Sequence, residues 1–144
     1  MTRIELVREK IRRIRHVGRL LERSTPEDPE VLARDEDRLH LVAFRVYLGL
    51  QETIDLASHV IADEGWGPVA SLRDHYEILV REGALGAETG ALLSDGVKIR
   101  NLIGHAYGEV DPVKLQAAAR VLPRLLETFC QDVLAFAEAR SEGG

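Results

Sequence analysis

Apolar residues recur along most of the chain at steps of three and four, the spacing that lines one face of an α-helix. Ile4, Val7, Ile11, Ile14, Val17 and Leu21 form the first such stripe, with Arg8, Arg12, Arg15 and Arg19 lying off it. The segment Ser24-Thr-Pro-Glu-Asp-Pro29 stops this helix and leads into the second. There Leu39, Ala43, Val46, Leu50, Thr53, Ala57 and Val60 alternate four- and three-residue steps. Leu41, Val42, Phe44, Leu48, Ile54, Leu56 and Ile61 spread the apolar surface well beyond that seam. A helix this apolar needs neighbours on more than one side, and Gly65-Trp-Gly-Pro68 ends it.

A shorter helix is expected from about Val69 to Arg81, with Gly83 and Gly86 marking the next break. A fourth should run from about Ala87 to Gly104 or Tyr107, with Leu92, Ile99, Ile103 and Ala106 turned inward. Asp111 before Pro112 reads as an N-cap followed by proline at the first helical position, where a missing N–H costs nothing. The fifth helix then buries Leu115, Ala119, Leu122, Leu126, Phe129, Val133 and Phe136, and Pro123 should kink it. Short connections favour antiparallel neighbours. The pattern holds no strand alternation, internal repeat or low-complexity segment, so the expected fold is an all-α antiparallel bundle of about five helices, one domain over residues 1–144.

Composition narrows the class further. The 144 residues are 45% hydrophobic and 30% charged, which fits a folded domain and not a disordered tail. Charges interrupt every apolar run too early for a membrane-spanning helix. Met1 to Leu21 carries Arg and Glu throughout, with no apolar signal core, so a cytoplasmic location is expected. The single Cys130 excludes an internal disulfide and a multi-thiol metal site. The net charge of −5 conceals a basic first segment, residues 1–23, on an acidic body. That segment can contact nucleic acid or an acidic partner, or can simply be a solvated helix face.

The densest polar cluster is Arg100-Asn101-Leu102-Ile103-Gly104-His105-Ala106-Tyr107. It joins a permanent cation, an amide, an imidazole that titrates near neutrality and a phenol. At ~100° per residue, Leu92 and Ile103 fall within about 40° of Ile99 and define the inward stripe. Asn101 and His105 then share a face roughly opposite it, and Arg100 lies about 140° from His105. The two can converge if the helix loosens near Gly104, if the arginine arm swings, or if a second subunit takes part. From the residues alone, the cluster is equally a polar helix end whose His and Tyr cap and pack.

The spacing Arg100-Asn-x-x-x-His105-x-Tyr107 resembles the signature of the HEPN superfamily, specifically its HepT-like toxin family. The context is similar too: the helix reading Leu50-Gln-Glu-Thr-Ile-Asp-Leu-Ala-Ser-His-Val-Ile-Ala62, a short helix, then a Leu-rich lead into Arg100. The resemblance covers about residues 35–115. It implies a HEPN-like helical fold and the toxin of a type VII toxin–antitoxin pair, a metal-independent endoribonuclease. It further implies Arg100 and His105 as catalytic, Asn101 as supporting, and Tyr107 as the residue that a minimal nucleotidyltransferase antitoxin adenylylates. No cofactor is implied; the expected partners are RNA (tRNA or mRNA), the antitoxin and a second copy of the chain.

That chemistry suits the residue types. RNA carries its own nucleophile, the 2′-OH beside the scissile phosphate, so a protein must move protons and stabilise charge on phosphorus. A histidine, with an ordinary pKa of about 6.5, can do the first; an arginine fork, always charged, can do the second. The rival from another class is a non-catalytic helical module that binds a nucleotidyltransferase or nucleotide through the same face. Elsewhere, Asp35-Glu36-Asp37 and Asp63-Glu64 read better as solvated carboxylates than as a metal site. His16, His40, His59 and His75 lack metal-ligand spacing. Trp66 reads as a clamp on the bundle end and Cys130 as packing.

Overall fold

The computed structural model describes residues 3–143, apart from the side chain of Tyr107. Six α-helices follow one another: α1 (Ile4–Ser24), α2 (Pro29–Arg34), α3 (Glu36–Glu64), α4 (Leu72–Arg81), α5 (Ala87–Ala106) and α6 (Pro112–Gly143), with a 3-10 turn at Tyr107–Glu109 before the last. No strand occurs among the described residues, and none of their helices is long and apolar enough to cross a membrane.

The element absent from the five-helix expectation is α2. At 6 residues it is under two turns, too short for periodicity to reveal, and its caps define it. The Asp28 carboxylate accepts from the Glu30 N–H at 2.9 Å, and Pro29 occupies the first helical position. Asp35 then accepts from the Arg38 N–H at 3.1 Å and starts α3. The Asp35-Glu36-Asp37 run is therefore a cap and a first turn, where the helix dipole favours negative charge. Helix α4 begins later than about Val69, because Ser71 is its cap and accepts from the Asp74 N–H at 3.2 Å. Helix α6 continues through buried Pro123.

Helix α3 packs against all five other α-helices, as its broad apolar surface requires. Along α1 it runs in the opposite sense: the Arg38 and Arg45 guanidinia donate to the carbonyls of Ser24 and Leu20, at 3.0 Å each. Gly49 marks the tightest point of this core. A Cβ there would lie 3.2 Å from Leu126 and 3.6 Å from Val17, so its lack of a side chain lets α1, α3 and α6 meet. Helix α6 runs antiparallel to α1, with Arg15 on Glu127 at 2.9 and 3.0 Å and Arg8 near Glu138 at 3.4 Å. At the far end Trp66 packs on Phe136, ring centroids 5.2 Å apart, and Arg140 pairs with the nearly buried Glu64 at 2.7 Å. Trp66 thus closes the bundle end as expected. Cys130 is fully buried, and burial pushes its thiol up to about 12.

Helix α5 buries Ile103 as expected but is turned from the expected orientation at Leu92. Its buried side chains are Thr89, Gly90, Leu93, Ser94, Val97 and Ile103. Leu92 is 42% exposed and Ile99 only half-buried, and both line a groove of about 530 Å³ between α5 and α6. The cause is close approach to α4: a Cβ on Gly90 would collide with the Val80 side chain. No side chain fits at Gly90, and Thr89 and Ser94 are buried with Leu93 where a hydropathy pattern selects Leu92.

Candidate functional site

The rotation of α5 decides where the polar cluster points. Arg100 follows Leu93 and Val97 on the buried face and meets α3. Its Nε and Nη2 both donate to Gln51 Oε1, at 3.2 and 2.5 Å, and Nη2 also donates to the Tyr47 hydroxyl at 3.1 Å. Nη1 donates to Asn101 Oδ1 at 3.1 Å. The guanidinium carbon sits 4.8 Å from the centroid of the Tyr47 ring, within cation–π range. Gly104, one turn after Arg100, makes room for that ring; a Cβ there would stand 3.2 Å from Tyr47 Cε2.

Asn101 does not lie opposite the core, as the Leu92/Ile99 stripe led one to expect. It is half-buried beside the core face and bonded to Arg100. His105 is exposed in the last turn of α5, one turn beyond Asn101 on the same flank. Because α5 stays α-helical to Ala106, Arg100 and His105 keep the divergence of about 140° that helical geometry sets. The helix does not loosen at Gly104, and the arginine arm extends to Tyr47 and Gln51 of α3. The backbone of Tyr107 opens the 3-10 turn; its side chain lies outside the described residues.

Tyr47 and Gln51 are the residues that sequence reading did not single out. They stand four apart on α3, a phenol and an amide on one flank of the helix, and that spacing was the available signal. Behind them Thr53 donates to the Leu50 carbonyl and therefore accepts from the buried Tyr76 hydroxyl, both at 2.8 Å. Burial raises the Tyr76 phenol to about 12. A hollow of about 410 Å³ opens beside the Tyr47–Gly104 contact, lined by His40 and the 58% exposed Phe44. Of the other histidines, His75 Nδ1 lies 3.1 Å from the Ser71 carbonyl, His40 lies 3.8 Å from Glu36, and His16 and His59 are exposed.

The model of the family described as "Ribonuclease HepT-like" matches residues 9–133. No curated protein matches the chain. Among similar solved structures is a toxin–antitoxin complex with AMP-PNP, at 18% identity and a TM-score of 0.82, covering 91% of this chain and 98% of that one. The cytosolic protein YutE of Bacillus subtilis is similar at 17% identity and a TM-score of 0.79, covering 94% and 91%. So is the tri-AMPylated HEPN toxin of Shewanella oneidensis in complex with its MNT antitoxin, at 21% identity and a TM-score of 0.75, covering 94% and 99%. At these identities the structural likeness speaks for the fold.

Proposed function

The chain belongs to the ribonuclease HepT-like family, and on that premise we propose that it is the toxin of a HEPN/minimal-nucleotidyltransferase pair, a metal-independent endoribonuclease of the cytoplasm. The observation that carries the reading is the grouping of Arg100, Asn101 and His105 on the last two turns of α5, with the guanidinium linked to Asn101. In the proposed reaction the 2′-oxygen of the RNA attacks the adjacent phosphorus and loses its proton to a base. The 5′-oxygen leaves and takes up a proton, so the products are a 2′,3′-cyclic phosphate and a 5′-OH. Arg100 stabilises the phosphoryl oxygens, His105 moves a proton, and Asn101 supports both.

The divergence of Arg100 and His105 along one helix favours a site shared between two copies. A two-fold contact on the Asn101/His105 flank brings the arginine of one protomer toward the histidine of the other. For regulation, the proposal assigns adenylylation by the antitoxin to Tyr107, two residues beyond His105. The added phosphate would attract Arg100 and repel the RNA backbone.

Incubating the purified protein with labelled tRNA and mRNA, with and without EDTA, tests the chemistry beside a His105→Ala control. Cleavage in EDTA that leaves cyclic phosphate ends and is lost in the variant is the expected result. A requirement for a divalent ion, or 5′-phosphate ends alone, would overturn the mechanism; undiminished cleavage by His105→Ala would remove that residue from the site. Tyr107→Phe should keep its ribonuclease activity and gain no adenylyl mass with the antitoxin and ATP. A variant still modified and silenced would show that Tyr107 is not the switch.

A further inference from the structure

Arginines held inside a fold are commonly paired with carboxylates, which cancel their charge. Among the described residues the acceptors on Arg100 are all neutral: the amide oxygens of Gln51 and Asn101 and the hydroxyl of Tyr47. The only carboxylate in this network is one bond further away, where Asp55 Oδ1 accepts from Gln51 Nε2 at 2.9 Å. That bond fixes the amide. Asp55 can only accept and Arg100 can only donate, so Gln51 must turn Nε2 to the first and Oε1 to the second.

The bonds also divide the guanidinium into two edges. The Nε/Nη2 edge is fully engaged, with its three N–H groups on Gln51 and Tyr47. Of the five N–H donors, one on Nη1 is left over. Nη1 is the nitrogen bonded to Asn101, so the open edge lies toward the flank that carries Asn101 and His105. Although Arg100 extends toward α3, its unspent donor lies on the side of the proposed chemistry, and no carboxylate bonded to it cancels its charge.

We propose that Gln51 and Tyr47 are positioning residues for Arg100, a neutral clamp that fixes the guanidinium plane and leaves its charge available to a phosphoryl oxygen. The inference rests on the ribonuclease reading for what the charge serves, but the clamp itself is a property of the free protein. Two variants separate orientation from charge. Gln51→Ala removes the orienting acceptor and keeps the charge; single-turnover cleavage should fall about 10–100-fold, the cost of a misplaced catalytic group. Its binding to an uncleavable RNA, 2′-deoxy at the scissile position, should keep the wild-type salt dependence. Gln51→Glu keeps an acceptor and neutralises the charge, so the slope of log affinity against log salt should drop by about 1, as for a lost phosphate contact. Tyr47→Phe, which keeps the ring over the guanidinium, should have a smaller effect than Gln51→Ala.

Circular dichroism melts would verify that each variant is folded. In an Arg100→Ala background Gln51→Ala should add no further loss of RNA affinity or rate; a full additional loss would overturn the proposal. Wild-type rates and salt slopes in both Gln51 variants would overturn it as well. A wild-type protein that cleaves nothing counts against the ribonuclease reading, and the clamp is then judged on the free protein by NMR. The Arg100 Nε–H should exchange slowly with water in the wild type and rapidly in Gln51→Ala. Equal exchange in the two would overturn the clamp whatever the activity.

Discussion

At the scale of the residue, burial sets the chemistry of the two most shielded ionisable groups. Cys130 and Tyr76 are both fully buried, and desolvation raises each to about 12, from ordinary values of 9.0 and 10.0. The folded chain therefore holds both protonated over a range where the unfolded chain releases its protons. Their contribution to stability is complete below about pH 9 and is lost as pH rises toward about 12. Denaturation midpoints should fall steadily between about pH 9 and pH 11; a flat profile would contradict the burial of these groups. The same burial should make Cys130 inert to thiol reagents at neutral pH in the native protein and fully reactive in denaturant. Cys130 is read from sequence as packing, since a small thiol on an apolar stripe has few other places to go, whereas the burial of Tyr76 comes from the fold. Arg100 is different, because its four hydrogen bonds include partners 49 and 53 positions away.

At the scale of the element, the helices are legible where the periodicity is long, and their ends are legible where the caps are chemical. The Asp111-Pro112 start of α6 is found as expected, with Asp111 accepting from the Val113 N–H at 2.9 Å. Helix α3 begins on a cap of the same kind, and Asp35→Ala should destabilise the fold by about 1 kcal/mol, read from denaturant melts. The α4–α5 contact offers a sharper test. Gly90→Ala gains about 1 kcal/mol of helix propensity, yet it drives a methyl into the stiff, β-branched Val80. Overpacking of this kind costs about 1–3 kcal/mol, so the net effect should be destabilising. Pairing it with Val80→Ala should restore much of the loss; if Gly90→Ala alone is stabilising, α4 and α5 do not approach so closely.

At the scale of the whole molecule, the proposed catalytic groups are divided between directions. Arg100 is turned to α3 while His105 faces outward from the end of α5. A shared site between two copies predicts complementation. Arg100→Ala and His105→Ala proteins, each inactive alone, should regain cleavage when unfolded together and refolded as mixed dimers, because one of the two composite clefts is then intact. Light scattering should report a dimer at micromolar concentration. A strictly monomeric protein with full activity, or mixed dimers that remain dead, would refute the shared site and require each protomer to act alone.

The sequence by itself determined the all-α class, five of the six helices, the core of α1, α3 and α6, and the Arg100-to-Tyr107 motif with its family likeness. These depend on spacing along one chain, and a 3.6-residue period or a short motif is written locally. The tertiary structure alone decided the facing of α5 and therefore the surroundings of Arg100. Hydropathy favoured the large side chains Leu92 and Ile99, but Gly90 meets Val80 of α4 with no room for a Cβ, and Thr89, Gly90, Leu93 and Ser94 went inside. That choice turned Arg100 onto Tyr47 and Gln51. Which face a helix buries is a question of fit between two surfaces, and the periodicity of one helix describes only one of them.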